Sequence, residues 1–213
     1  MKQRAAVLIS GRGSNMAALL EAARDPAYPV EMVMVLSDRP LAPGLVLAEA
    51  AGLSTLVVDY RLFKGDRAAH EAAIDAALRA ANVQIVCLAG YMRLLTPFLV
   101  ERWAGRMLNI HPSLLPAFPG LDTHERALAA RVKLHGCTVH LVTQTMDEGP
   151  ILAQAAVPVL PGDTSDSLGT RVLAQEHVIY PLALRLFVQQ HAGQPPAPNT
   201  ALLNPLPLAA PLP

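Results

Sequence analysis

The sequence predicts an α/β protein, a single domain on a doubly wound, mostly parallel sheet, and three observations carry that expectation. Short apolar runs alternate with helix-compatible stretches through the first half of the chain. These runs are continuous in Val, Ile and Leu, which is how strands read when helices cover both faces of a sheet. The first run ends in a glycine-containing loop that opens directly into a helix-compatible stretch, the kind of junction where such folds hold anions.

In order, AAVLIS (5–10) is a strand followed by a helix over 14–24, and EMVMVLS (31–37) a strand followed by a helix over 44–51. STLVV (54–58), a helix over 66–81 and VQIVCLAG (83–90) continue the pattern. A short helix near 94–103 leads to the strand MLNIH (107–111). Pro112, Pro116, Pro119 and Gly120 disfavour helix just after it, so the chain leaves that strand end as an irregular loop, where ligand chemistry in α/β proteins sits. CTVHLVT (137–143) and ILAQAAVPV (151–159) are strands separated by the DEGP turn, and they add antiparallel pairing. From Ser165 onward Leu168, Val172, Leu173, His177, Ile179 and Tyr180 recur at helical spacing behind the cap candidates Asp163, Thr164 and Ser165. One long C-terminal helix follows, with a kink expected near Pro181. The expected organisation is a domain over 1–192 and a Pro-rich, nearly uncharged tail over 193–213, extended or poorly ordered.

At 213 residues the chain has the length of one well-buried domain. Its 17 basic residues balance 17 acidic ones, so no global field recruits nucleic acid and any anion is bound locally. The opening MKQRAAVLISGRG has an apolar run of five residues, too short for a signal core or a membrane span, and a soluble cytoplasmic protein is expected. Cys87 and Cys137 have neither metal spacing nor a disulfide framework and read as reduced packing residues. His124, His135 and His140 form no helical His-x3-His pair and have no placed acidic partner. They read as packing or loop polarity, and no metal is expected.

Two sequence features carry chemistry. In SGRGSN (10–15) the glycines let the backbone come close to a ligand, while free N–H groups and the helix dipole of the next element favour a phosphomonoester. The loop lacks the third glycine of a dinucleotide fingerprint and the Gly-Lys-Ser/Thr of a Walker loop, and a plain capped βα turn would read the same way. The second feature is Asn109, His111 and Asp147. Two apart on an extended strand, Asn109 and His111 point to one side. An amide that donates at any pH suits a carbonyl oxygen becoming an oxyanion, and an imidazole near a carboxylate suits proton donation. Acyl or formyl transfer to an amine needs that set and no protein nucleophile. The plainer accounts are a satisfied structural Asn-x-His pair, and Asp147 as the polar corner of the turn before Gly149-Pro150.

With these residues assembled, the chain from about Val7 to about Phe187 resembles the phosphoribosylglycinamide formyltransferase family, folate-dependent enzymes of purine synthesis. The resemblance rests on LISGRGSN, LAGYMRLL, LNIHPSLLPAFPGLDTH, HGCTVHLVT with MDEGP, and GDTSDSL with AQEHVIYP. It implies a Rossmann-like formyltransferase fold and transfer of formyl from 10-formyltetrahydrofolate, the co-substrate, to the amine of 5-phosphoribosylglycinamide. By matching positions it implies Asn109, His111 and Asp147 as the catalytic trio, with His111 the proton donor, Asn109 on the formyl oxygen and Asp147 keeping His111 protonated. Gly13, Ser14 and Asn15 match phosphate and ribose contacts, and Gln175 and Glu176 approach the same substrate. Met92, Arg93, Leu94 and Leu95 match the folate pocket, as do Thr143, Gln144, Thr145, Met146 and Asp147, with Asn109 reaching the same cofactor; Arg67 matches a basic position near the folate tail. On spacing alone Met92, Leu94 and Leu95 would be core, and Arg67, Arg93 and Glu176 surface charges. Arg12 stands where relatives most often carry Asn. Small-molecule partners are expected, with no nucleic acid and no membrane, acting on a monomer or weak homodimer. The competing readings are formyltetrahydrofolate hydrolase, methionyl-tRNA formyltransferase and a non-catalytic nucleotide-binding module. A chain that begins at the nucleotide-type strand and ends in an uncharged tail fits the first two less well.

Overall fold

The structure, a computed structural model, describes residues 1–191; the tail expected over 193–213 lies outside the described residues. The parallel strands are β1 (Gln3–Ile9), β2 (Val30–Ser37), β3 (Ser54–Val57), β4 (Ile85–Leu88) and β5 (Met107–His111). Antiparallel β6 (Leu134–Leu141) and β7 (Ile151–Pro158) extend the same sheet, whose order is β3-β2-β1-β4-β5-β6-β7. The chain therefore winds outward from β1 to β3 and then crosses back to lay β4 on the other side of β1. Loops leaving the C-terminal ends of β1 and β4 diverge there, and that crevice is where open α/β sheets bind ligands.

The helices are α1 (Ser14–Ala23), α2 (Pro43–Ala50), α3 (Arg67–Ala80), α4 (Pro97–Arg102), α5 (Thr123–Ala129) and α6 (Ser165–His191). The pleat of β1 sorts them into two layers. Ala5, Val7 and Ile9 share a core with Met16 and Leu19 of α1, Leu45 of α2 and Leu184 of α6. Ala6 and Leu8 face the other way, toward Ile74 and Leu78 of α3 and Leu99 of α4. Residues Ala5 to Ile9 are all fully buried, which accounts for the unbroken apolar run. Each large aliphatic side chain so covered contributes about 1.5–3 kcal/mol.

The long last helix brings the far end of the chain under the crevice. Thr164 caps it, accepting from Ser167 N–H at 3.2 Å. Asp163 forms two 2.9 Å bonds with Arg171, and that guanidinium, with Leu160 N–H and Ser167, holds the Asp163 carboxyl well below the usual range. Further along, the Tyr180 hydroxyl is shared between the carbonyls of Leu88 (3.0 Å) and Leu108 (3.2 Å), pinning α6 across β4 and β5. Pro181 lies within this helix, and its carbonyl accepts from Tyr28 at 2.7 Å.

Several boundaries differ from the sequence reading. Helix α4 begins only at Pro97, because Thr96-Pro97 places proline at the first helical turn, so the expected helical start at 94 is loop. Buried Glu71 of α3 accepts from Thr96 N–H at 2.7 Å and from its hydroxyl, and Arg67 donates to the Leu94 carbonyl, so α3 holds that loop from two positions. Strand β6 starts at Leu134, earlier than expected, and neither a 3₁₀ turn at Tyr60–Phe63 nor α5 was legible.

Candidate active site

The loop after β1 crosses to α1 through Gly13, whose φ of 74° is left-handed. A Cβ at Gly13 would come within 3.0 Å of the Gly44 Cα, so glycine here meets both a backbone demand and a close approach of α2. Gly13 caps α1 without a side-chain bond, leaving the first N–H groups of α1 at Ser14 and Asn15 facing the crevice end of the sheet. Arg12 is exposed. Ser10 ties this loop to the one after β4, since its hydroxyl accepts from Met92 N–H at 2.9 Å.

Asn15 reaches across to α6. Its Nδ2 donates to Glu176 Oε2 at 2.6 Å, while its Oδ1 is buried without a partner. Burial pushes the Glu176 pKa up, and the Asn15 bond only partly offsets that. Gln175 is 2% exposed with an unpartnered Oε1; it lies beside Glu176 in the chain but does not line the cavity described next.

A cavity of about 390 Å³ opens at the ends of β4 and β5. Of the residues singled out from sequence it takes in Asn15, Glu176, Met92, Arg93, Leu94, Leu95, Asn109, His111, and the run Thr143, Gln144, Thr145, Met146 and Asp147. Met92, Leu94, Leu121 and Met146 are exposed apolar side chains on this one opening. Unburied apolar groups gathered at a concave site mark a place for a flat apolar ligand. Arg67 stands outside the cavity and touches its wall through Leu94.

Asn109 and His111 project from β5 to the same side, as the two-residue spacing requires. His111 Nε2 donates to the Phe118 carbonyl at 3.0 Å, and its Nδ1 is 3.5 Å from Asp147 Oδ2, an ion-pair distance rather than a tight hydrogen bond. Asp147 has φ 59°, a turn conformation that aims its carboxylate inward, where Oδ2 accepts from Gly120 N–H at 2.8 Å. The turn role and the proximity to His111 coexist in one residue.

The loop after His111 is braced from the antiparallel strands. Thr138, the β6 partner of His111, donates to Ser113 O (2.7 Å) and accepts from Leu115 N–H (3.0 Å). Gln154 of β7 donates to Leu115 O at 2.8 Å and to the Thr138 hydroxyl at 3.0 Å.

His140 corrects the sequence reading. Taken there as packing or loop polarity without an acidic partner, it lines the cavity with Nε2 at 3.2 Å from Asn109 Nδ2 and 3.7 Å from Asp147 Oδ1. The reason is register: His140 is the direct cross-strand partner of Asn109. Its Nδ1 lies 2.9 Å from the Leu141 carbonyl, so a neutral ring protonated on Nδ1 satisfies both neighbours and accepts from Asn109. Burial lowers its pKa, with the Leu141 carbonyl and Asp147 acting weakly against it, in keeping with a neutral ring. His124 and His135 do pack, their rings 3.1 Å apart at Nδ1 and Nε2, with burial pressing the pKa of His135 down to about 4.

Among the described residues no Ser or Cys lines the cavity, and burial pushes the Cys87 thiol up to about 12 and the Cys137 thiol higher still, far from a thiolate. Fold and site define a doubly wound α/β protein whose cavity gathers an amide, an imidazole and a carboxylate at the ends of β4 and β5.

Comparison with known proteins narrows the class. The formyl transferase family model matches residues 3–184. Phosphoribosylglycinamide formyltransferase of Escherichia coli (strain K12) is 42% identical over 181 residues, 85% of each chain. The solved phosphoribosylglycinamide formyltransferase of Brucella melitensis matches with a TM-score of 0.84 at 58% identity, covering 88% of this chain and 96% of that one. Trifunctional purine biosynthetic protein adenosine-3 of Bos taurus is 49% identical over 185 residues, which are 87% of this chain but only 18% of that longer protein. This chain belongs to the formyl transferase family.

Proposed function

We propose that the chain transfers the formyl group of 10-formyltetrahydrofolate to the amine of 5-phosphoribosylglycinamide, a step of de novo purine (IMP) biosynthesis. The observation that carries this reading is the meeting of two unlike surfaces at Asn109, His111 and Asp147. On one side lies the apolar-rimmed cavity, suited to a pterin. On the other lies the phosphate-type loop at α1 with Asn15 and Glu176, where a buried, unpartnered Asn15 oxygen awaits a hydroxyl donor. The names of the relatives with 42% and 58% identity agree with it.

In this reading the amine nitrogen attacks the formyl carbon and the carbonyl oxygen becomes an oxyanion. Asn109 Nδ2 and the His111 Nδ1–H donate to that oxygen, while His111 Nε2 stays on the Phe118 carbonyl. Asp147, facing the ring, favours the imidazolium by charge attraction. Collapse breaks the bond to the folate nitrogen, which gains a proton as the amine gives one up, with His111 as the proton donor. Met92 to Leu95 and Thr143 to Asp147 hold the folate, with Arg67 and Arg93 near its carboxylate end. Gly13, Ser14 and Asn15 hold the phosphate and ribose side, with Gln175 and Glu176. No metal takes part. Among the described residues no helix is long and apolar enough to cross a membrane. A cytoplasmic setting, small molecules as the only substrates and a monomer or weak homodimer belong to the same reading.

His140 acts here as a positioning residue that fixes the Asn109 amide. His140→Ala lowers kcat by about tenfold to a hundredfold, the scale of a misplaced catalytic group, with KM little changed, and His140→Gln restores part of it. Because a protonated Nε2 cannot accept, kcat also falls as pH drops through the depressed His140 pKa, and steady-state kinetics over the acid range checks both.

Glu176→Gln raises KM for phosphoribosylglycinamide several-fold while folate KM stays put. The raised Glu176 pKa adds a sign: acidification neutralises this acceptor earlier than it would an ordinary carboxylate, so wild-type affinity for that substrate weakens first.

The test of the whole reading is turnover of a 10-formyl-dideazafolate followed by absorbance, with and without phosphoribosylglycinamide. Release strictly dependent on the amine supports transfer; amine-independent release of formate supports hydrolysis instead, and folate binding without turnover supports a binding module.

A further inference from the structure

Two buried polar side chains behind the folate cavity have no part in the chemistry above. Asp38, the residue after β2, is 1% exposed, and among the described residues neither of its carboxylate oxygens has a hydrogen-bond partner. Tyr91, in the loop after β4, lines the cavity, and its hydroxyl is likewise buried without a partner. Register brings the two together. Ile9 of β1 pairs with Ser37, and the next residue, Ser10, donates its N–H to the Gly90 carbonyl at 3.1 Å and accepts from Met92 N–H at 2.9 Å, so Asp38 and Tyr91 flank one strand end. Asp38 also stands two residues beyond Leu36, the strand period of the face where Leu36, Leu88 and Tyr91 share a core with Ile74 of α3. Burial raises the Tyr91 pKa, the Asp38 charge adds to the rise, and Arg93 works against it. The polar groups that α3 sends toward this layer are committed elsewhere, Glu71 to Thr96 and His70 to the Val58 carbonyl.

A phenol donates one hydrogen and a carboxylate only accepts, so the two orphans are complementary, yet they do not bond each other directly. Leaving either unsatisfied in the interior is costly, and a water with two or more polar partners is the usual remedy. We propose that Asp38 and Tyr91 hold one buried water, which accepts from the Tyr91 hydroxyl and donates to Asp38, and that this bridge positions the 91–95 wall of the folate cavity. The inference rests on the folate reading of that cavity. Tyr91 leads directly into Met92, Arg93, Leu94 and Leu95, and the ties from Ser10 to Met92 and from Glu71 to Thr96 hold only the backbone and the far end of this wall. The bridge fixes the Tyr91 ring itself. Asp38 touches no substrate and acts through Tyr91, as a positioning residue.

The test is a double-mutant cycle of Tyr91→Phe, Asp38→Asn and the two together, read by direct titration of the full chain with a dideazafolate and by thermal melting. Tyr91→Phe deletes the donor and strands the carboxylate, so the dideazafolate Kd rises by about threefold to tenfold. The Kd for phosphoribosylglycinamide stays at its wild-type value, which also shows that the variant is folded. Asp38→Asn keeps an acceptor of the same size without the charge, and its dideazafolate Kd stays within about twofold of wild type. In the Asp38→Asn background Tyr91→Phe costs far less than in wild type, because no charge is left stranded. Equal effects of Tyr91→Phe in both backgrounds mean that the pair is uncoupled, and they overturn the proposal. Coupling seen in the melt alone, with the dideazafolate Kd unmoved, makes the pair structural and overturns the positioning role while leaving the folate site standing. Failure of wild type to bind the dideazafolate overturns the folate reading, and the positioning role with it.

Discussion

His111→Ala is expected to lose about a hundredfold or more in kcat, with KM for both substrates near wild type, because in the proposed mechanism the lost donor serves the oxyanion and not the ground state. The His111 side chain is 7% exposed, and its Nε2 satisfies the Phe118 carbonyl, so the variant also leaves a buried acceptor unpaired at a cost of about 1–3 kcal/mol. His111→Gln keeps a donor of similar reach and separates the two effects. Steady-state kinetics alongside a thermal melt make the distinction: a stability loss with near-normal turnover would reduce His111 to a structural histidine.

Asp147→Asn is the sharper probe of charge. Asparagine tolerates the left-handed φ of 59° as aspartate does, so the turn stays and the carboxylate alone is removed. At roughly 4 Å and an effective dielectric near 20, opposite unit charges attract by about 4 kcal/mol, and losing part of that corresponds to a fall in kcat of about tenfold to a hundredfold. In the proposed mechanism the carboxylate that faces His111 Nδ1 at 3.5 Å is the charge removed, while the turn it sits in remains. A variant whose kcat matches wild type would leave Asp147 as a turn residue that only orders Gly120.

What the sequence made legible, and what it hid, follows from how far each signal reaches along the chain. The strands of the parallel half are apolar runs that depend on local burial, and they stand within a few residues of their expected places. Asn109 and His111 were legible as a pair because a strand's period is two, a rule that needs no partner strand. His140 was not, because its role depends on the register of β6 against β5, and a one-residue slip would turn it to the other face. The short helix α5 was missed for another reason. Its sequence does offer a start signal, Asp122 with Glu125 three residues on, but the helix is only seven residues long and follows a Pro- and Gly-rich loop, and in the structure Asp122 adopts φ 55° and makes no side-chain cap bond. The arrangement of Glu71 and Arg67 around the 92–96 loop is likewise tertiary, set by how α3 packs beside that loop and not by any motif within it.

The central claim is that formyl passes directly from folate to the substrate amine at Asn109, His111 and Asp147. Rapid-quench single turnover with isotopically labelled formyl on the folate tests it most directly. The account predicts label lost from folate and gained by phosphoribosylglycinamide at one common rate, with none on protein and none as formate. Label held on the protein, or released as formate in the presence of the amine, would contradict it.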